Sequence, residues 1–403
     1  MRLHKNLVFA AVDGLDTIFN KHKQADKVLQ EVLKRDKRWG SRDRGFIAET
    51  TYDIVRWKRL YTTIAEVKEP FSRTDLYRLF GVWATLKGIA LPNWKQFENT
   101  PVRRIKGRFD EYSKNRKIAQ SIPDWLDEVG EKELGKQWDE ELKALNKQAP
   151  VVLRTNSLKS NLKNTRQALA AENVDTLVLN KYPDALQLIA RQNVFTTQVF
   201  KDGYFEVQDA ASQLVAPFVD AQPGMRVIDA CAGAGGKSLH LAALMQNKGQ
   251  LIAMDIYSNK LKELKRRAKR AGAFNIETRL ISTTKDIKKL HQKADRVLID
   301  APCSGLGTLK RSPDIKWKLK VDFLQKIKNT QQELLKNYSK MIKPGGKMVY
   351  ATCSILPSEN EQQIARFLAT EEGAKFVLNK ERKCSPAIDG YDGFYMVQLE
   401  LKT

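Results

Sequence analysis

The sequence has only four cysteines in 403 residues, Cys231, Cys303, Cys353 and Cys384, and no two form a CxxC pair. A zinc knuckle or a thioredoxin-like site is therefore disfavoured. Its four histidines show no metal-ligand arrangement, so no metal is expected. No apolar run reaches the roughly 18 residues a membrane-spanning helix needs. Asp13 and Asp16 interrupt the apolar start too early for a signal-peptide core. Acidic residues are also outnumbered: 47 Asp and Glu face 70 Lys and Arg, a net charge of +23. An excess of that size points to a polyanionic partner. Against these shortages stand 42% hydrophobic residues, enough to bury a sizeable core and to exclude global disorder. The length suggests two or three domains. A soluble, cytoplasmic protein with free thiols and no membrane association is expected.

The charge is not a tail. Residues 1–150 carry +8 and residues 151–403 carry +15, so a nucleic-acid surface should span domains. Residues 1–145 read as helical, with Ala25, Val28, Leu29, Val32 and Leu33 at three- and four-residue spacing. Two basic clusters lie there, at 34–44 and 103–108. Each is either a solvated helix face or a phosphate contact. Trp39 and Trp57 read as core. Residues 146–221 read as a small α+β unit, with β-rich runs VVLRTN, DTLVLN and QLIARQ around the helical stretch LKNTRQALAAEN. From 222 to 403, strand and helix alternate. MRVIDA (225–230), LIAMD (251–255), IETRLI, RVLIDA and KMVYAT are the strands, and Pro344-Gly345-Gly346 is expected to end the helix at 320–341. This is the rhythm of a doubly wound, mostly parallel α/β sheet, whose ligands sit at the carboxyl ends of its strands.

DACAGAGGKS (229–238) follows the first of these strands and opens a helix. It is not a GxGxxG fingerprint. A phosphate loop would need Gly where Cys231 stands, so nucleotide hydrolysis is disfavoured. Gly233, Gly235 and Gly236 let the backbone approach a ligand closely, which suits a nucleoside-bearing cofactor. Asp255 is either an acceptor for ribose hydroxyls or a helix N-terminal acid near Ser258. Asp300, Pro302 and Cys303 emerge at the end of the fourth strand, and Cys353 at the end of a later one. A lone cysteine in either place would more often be a buried small hydrophobe. Two in matching turns beside an acid favour catalysis.

Over residues 150–400 the chain resembles the NOL/NOP/Sun RNA (cytosine-5)-methyltransferases. The motifs that carry the likeness run in order: LRTN (153–156), VQDAASQ (207–213), DACAGAGGKS, DAPCSGLGT (300–308), RSPDIKW (311–317), KPGGKMVYATCSILPSENE (343–361) and DGFYMVQL (392–399). The paired cysteines of PCS and TCS are specific to that family. The amino-terminal 145 residues resemble the helical RNA-binding domain of its bacterial ribosomal-RNA members, through residues 25–57.

The resemblance implies a Rossmann-like class I methyltransferase sheet preceded by the small α+β subdomain and an all-α domain. It implies S-adenosylmethionine as cofactor and RNA, ribosomal by expectation, as substrate. Cys353 would be the nucleophile and Cys303 the helper in product release. Asp300 would hold the cytosine edge, with Lys237 lining the same pocket. Cys231, Ala232, Gly233, Ala234, Gly235, Gly236, Lys237, Asp255 and Asp300 would hold the cofactor. The chemistry needs these types. A thiolate adding at carbon 6 of cytosine makes carbon 5 nucleophilic toward a methyl sulfonium, and the base must leave its stack to be reached.

The sequence departs from the family pattern at Ala234, where Pro is usual, and after the third strand. There LISTTKD (280–286) offers Ser or Thr in place of an acid, Asp286 lying further along. No RNA-binding domain is expected after the catalytic sheet. The missing third-strand acid motivates one alternative, a non-catalytic RNA-binding assembly factor; another, methylation of transfer RNA, differs only in substrate. Ser358-x-x-Glu361 reads as a capping box for a helix at 359–370. PDIKW (313–317) suits RNA contact and loop packing equally. Cys384 is incidental, Lys260 lies on a mostly solvated face near the cofactor loop, and a monomer is the default.

Overall fold

The computed structural model describes residues 2–98 and 100–402. They form two compact units, one of residues 1–147 with 309–319, the other of residues 148–308 with 320–403.

The first unit is helical. Its opening helix, Lys5–Phe19, buries Leu7, Val8, Ala11, Leu15 and Ile18 along one stripe, the spacing that one face of a helix requires. Ala25, Val28, Leu29 and Val32 do the same in Ala25–Val32. Trp39 is buried and Trp57 packs on the same core, as the sequence indicates. Residues 309–319 join this unit. Arg56, itself buried, donates to the carbonyls of Leu309 (3.2 Å) and Lys310 (2.9 Å). Trp317 Nε1 donates to the Val55 carbonyl at 2.7 Å, and Asp314 accepts from the Ala25 amide at 3.1 Å. Lys316 is 1% exposed, with its ammonium on Asn146 Oδ1 at 3.1 Å. Of the two readings of PDIKW, packing is the one the contacts support.

The second unit holds two sheets. The smaller contains β1 (Val152–Thr155), β2 (Thr176–Val178), β3 (Ala185–Leu188) and β4 (Phe205–Val207). They run antiparallel in the order β2-β3-β1-β4. The helix Leu162–Ala171 lies between β1 and β2, its amino end capped by Asn161. The larger sheet contains β5 (Arg226–Asp229), β6 (Gln250–Asp255), β7 (Ile276–Leu280), β8 (Ala294–Asp300), β9 (Ile342–Thr352), β10 (Phe376–Cys384) and β11 (Phe394–Leu401). Their order is β10-β11-β9-β8-β5-β6-β7. β5 to β9 are parallel, and β10 and β11 add an antiparallel edge.

Both faces of this sheet are covered. Val227, Leu298, Val349 and Ala351 belong to one core, and Ile228, Ile299, Met348 and Tyr350 to the other. Strands buried on both sides read as near-continuous apolar runs, which is why these are visible in the sequence. The chain builds outward from β5 through β6 and β7, then returns to place β8 on the other side of β5. The switch in strand order thus falls between β5 and β8, where such sheets bind ligands.

Two local expectations change, and one strand is new. The helix Val321–Tyr338 ends before Pro344. Pro344-Gly345-Gly346 instead bulges within β9, where Ala294 pairs with Ile342 but Arg296 pairs with Lys347. Gly345 has φ +71°, and a Cβ on Gly346 would meet the carbonyl oxygens of Lys343 and Asp295 at 2.9 and 3.0 Å. The helix expected at 359–370 is Glu361–Leu368, with Asn360 at its N-cap and no side-chain capping bond. The helix thus starts two residues later than expected, with Asn360 and not Ser358 at the N-cap position, and Glu361 pairs with Lys383. Finally, β10 is a strand that the sequence pattern does not announce. Only its ends, Phe376 and Cys384, are buried, so its polar middle lacks a strand's alternation.

Candidate active site at the carboxyl ends of the parallel strands

Asp229 ends β5, and the glycine-rich loop follows. Gly233 and Gly235 have φ +55° and +89°, the left-handed region that glycine enters freely. Five backbone groups of the loop are fixed from outside or across it. Ala232 N donates to Met254 O at 2.8 Å, Gly233 N to Asp255 Oδ2 at 2.8 Å, and Gly235 N to Ala232 O at 2.9 Å. The Ala234 and Gly236 carbonyls accept from Arg267 at 2.8 Å and Arg154 at 2.7 Å. With its carbonyl held by Arg267, Ala234 needs no proline ring to set the turn.

Arg154 and Arg267 hold the loop in place, and the sequence alone singles out neither. Arg154, in LRTN, is 2% exposed and also donates to Gln208. Arg267 is oriented by Glu206 at 2.9 Å, which also pairs with Arg270. Its position inside the basic run KLKELKRRAKR disguises it as one more solvated charge.

The space beside the loop fits an adenosine-bearing group. A Cβ at Gly233 or Gly236 would meet nothing within 4 Å. Ile256 and Tyr257, just past β6, are 60% and 53% exposed, and Leu280 at the end of β7 is 43% exposed. Apolar surface stranded at the carboxyl edge of a sheet suits a flat base. Asp255 is nearly buried and accepts from the Gly233 and Tyr257 amides, each at 2.8 Å. It therefore braces the loop, and a carboxylate has lone pairs left for ribose hydroxyls. Lys260 lies 4.7 Å from the Tyr257 ring centre. After β7, Asp286 accepts from the Ser282 and Thr283 amides at 3.1 and 2.9 Å. It is committed to capping the helix Thr284–Lys288.

Across the switch point, Lys237 Nζ and Asp300 Oδ2 are 2.6 Å apart. Burial works against the lysine's charge, but Asp300's charge and hydrogen bond prevail, and the net shift of Lys237 is upward. The ammonium also lies 5.2 Å from the centre of the Phe394 ring, from the DGFYMVQL motif. Asp229, 1% exposed, is pushed up to about 7 by burial, with Asp300 adding to the rise and the 2.7 Å bond from Ser238 opposing it. Cys231 is held well above the usual thiol range by burial and by the nearby Asp229, Asp300 and Asp255.

β8 and β9 are parallel neighbours, so the turns after Asp300 and Thr352 lie side by side. The sulfurs of Cys303 and Cys353 are 3.3 Å apart. Cys303 is pushed well above the usual thiol range by the hydrogen bond to Cys353, then by burial, Cys353's charge and Glu359's charge. Gly307 allows this approach: its amide donates to the Cys353 carbonyl at 2.9 Å, and a Cβ there would lie 2.8 Å from that oxygen. Cys384 is 3% exposed and belongs to the buried core that includes Phe394 and Met396. Among the described residues no cluster of three or more His, Cys, Asp or Glu is arranged to hold a metal ion. No helix among them is long and apolar enough to cross a membrane.

Comparison with known proteins gives a consistent result. Residues 216–400 match the family described as 16S rRNA methyltransferase RsmB/F. Residues 122–195 match its ferredoxin-like domain. The chain is 37% identical over 366 residues to the probable ribosomal RNA small subunit methyltransferase B of Synechocystis, covering 82% of each protein. It is 32% identical over 307 residues to ribosomal RNA small subunit methyltransferase B of Vibrio vulnificus, covering 74% of this chain and 71% of that one. Among solved structures, the crystal structure of PH0851 matches over 99% of each chain with a TM-score of 0.84 at 25% identity. The chain belongs to the RsmB/F family of S-adenosylmethionine-dependent ribosomal RNA methyltransferases.

Proposed function

We propose that this protein methylates carbon 5 of a cytidine in small-subunit ribosomal RNA, acting in the cytoplasm as a monomer with Cys353 as nucleophile. The single observation that carries the reading is the pair of sulfurs 3.3 Å apart at the tips of adjacent parallel strands. S-adenosylmethionine, held by the 231–237 loop, Asp255 and the apolar edge at Ile256 and Tyr257, supplies an electrophilic methyl group.

The chain's own residues do the rest. Cys353 sulfur bonds to carbon 6 of an extruded cytosine, and the ring electrons shift so that carbon 5 becomes nucleophilic. Asp300 holds the exocyclic edge of the base, and Lys237, fixed on Asp300 at 2.6 Å, offers positive charge where the ring gains electron density. After carbon 5 is methylated its proton passes to solvent water, the electron pair left behind re-forms the ring double bond as the carbon 6–sulfur bond breaks, and Cys353 leaves as thiolate. Cys303, proton-bearing and in contact with that sulfur, donates a hydrogen bond to the departing thiolate and favours release.

The basic helical unit supports binding to the phosphate backbone. Lys34, Lys37, Arg42, Arg103, Arg104 and Lys106 are exposed on it. The test incubates the protein with labelled S-adenosylmethionine and, in separate arms, small-subunit ribosomal RNA and transfer RNA. The expected result is 5-methylcytidine in the ribosomal arm alone. Label in transfer RNA only, or on another base, would contradict the reading.

A further inference from the structure

Glu359 is 0% exposed, and a carboxylate is buried only when its oxygens are satisfied. Four donors meet it. Oε2 accepts from the Ser304 amide at 2.8 Å and Gln331 Nε2 at 3.1 Å. Oε1 accepts from the hydroxyls of Ser304 at 2.5 Å and Ser354 at 2.6 Å. Ser304 follows Cys303, and Ser354 follows Cys353. One carboxylate therefore touches both turns that carry the reactive sulfurs.

We propose that Glu359 is a positioning residue that ties the Cys303 turn to the Cys353 turn and so sets the contact between their sulfurs. This rests on the reading of the two cysteines given above. The surrounding bonds fit the role. The Tyr350 hydroxyl donates to the Glu359 carbonyl at 2.8 Å, fixing the backbone that carries the carboxylate. The next residue, Asn360, donates to the Ser354 carbonyl at 3.0 Å and accepts from Thr352 Oγ1 at 2.5 Å. Gln331 Nε2 spans Glu359 and the Pro302 carbonyl, the latter at 3.0 Å. Each contact lands on a residue beside a cysteine or on the strand leading to one. Glu359's negative charge also adds to the forces that keep Cys303 protonated, as a hydrogen-bond donor to the leaving sulfur must be.

Glu359→Gln keeps size and one acceptor. It replaces the other acceptor with an NH2 group, so the Ser304 and Ser354 hydroxyls lose the oxygen they share. Two measurements on the full chain test the proposal. The first follows the Cys303–Cys353 disulfide formed by diamide, which takes two hydrogens from the thiols and becomes the hydrazine; peptide mass spectrometry reads the link. It needs no RNA and no methyl transfer. The second follows the rate of denaturation-resistant RNA adduct formation in Cys303→Ala, with and without Glu359→Gln.

Glu359→Gln should slow both at least tenfold, in keeping with the cost of misplacing reacting groups by about 1 Å. Its calorimetric affinity for S-adenosylmethionine should stay within threefold of the parent. Glu359→Ala should slow both further. Rates within twofold of the parent would overturn the proposal. So would a loss of cofactor affinity in step with the rates, the mark of a residue that only supports the fold. If Cys303→Ala forms no adduct at all, the functional reading fails and the crosslinking rate still decides on Glu359.

Discussion

The sulfurs of Cys303 and Cys353 lie 3.3 Å apart although fifty positions separate them in the chain. The cause is topological, since β8 and β9 are parallel neighbours and each cysteine sits three or one residues past its strand. In the proposed scheme Cys353 attacks, and Cys303, whose thiol is held well above the usual range by the contact with Cys353 and by burial, assists release. Cys303→Ala should still form the adduct with RNA but release it slowly. A stable RNA–protein band on a denaturing gel, at least tenfold more abundant than in the parent, is the expected outcome. No such band would remove Cys303 from the release step.

Lys237 and Asp300 act as a unit at the switch point. Lys237→Met removes the cation and leaves Asp300 without its 2.6 Å partner. Loss of one charge-stabilising donor costs roughly 10²–10³ in kcat. Single-turnover methyl transfer should fall by that amount while RNA affinity, measured by filter binding, changes little. A full-rate variant would mean the pair only braces the fold.

Gly307 is a matter of space. A Cβ there would approach the Gly393 carbonyl oxygen to 2.2 Å and that of Cys353 to 2.8 Å. Neither is a flexible side chain, so Gly307→Ala must shift the backbone beside Cys353. Overpacking of this kind costs about 1–3 kcal/mol. Thermal unfolding should show a lower Tm together with reduced methyl transfer, and an unchanged Tm would show that the loop relaxes freely.

Asp229 makes stability depend on pH in a direction opposite to most carboxylates. Its folded value, raised to about 7 mainly by burial, lies above the ordinary one. The folded state therefore holds the proton more tightly, and this contribution is lost as pH rises from about 4 through 7. Each tenfold difference in proton affinity between the folded and unfolded chain is worth roughly 1.4 kcal/mol. His240 works the other way: burial, then Arg154's charge, lowers it to about 4, so its contribution fades as pH falls below 6.5. Comparison with Asp229→Asn isolates the first effect. In urea unfolding, the parent should gain stability relative to the variant between pH 8 and pH 5. Parallel curves would contradict the assignment.

Much of this is legible in the sequence, for physical reasons. Strands buried on both faces, such as RVLIDA and KMVYAT, announce themselves as apolar runs. The PCS and TCS turns carry their cysteines at strand ends wherever the strands lie. What stays hidden depends on distant neighbours. Glu359 sits in a stretch that reads as the start of a helix, and nothing local shows that its carboxylate joins Ser354, five residues before it, to Ser304, 55 residues before it. Arg267 and Arg154 hold the glycine loop from elements about 30 and 80 residues away in the chain. Lys316 shows a buried lysine only once the helical unit closes around residues 309–319, where burial then holds its ammonium well below the usual range.

The most direct measurement is methyl transfer by Cys353→Ala. With labelled S-adenosylmethionine and small-subunit ribosomal RNA, the variant should bind both yet transfer no label above background. Transfer at the parent's rate would show that the bond to cytosine is made by another atom.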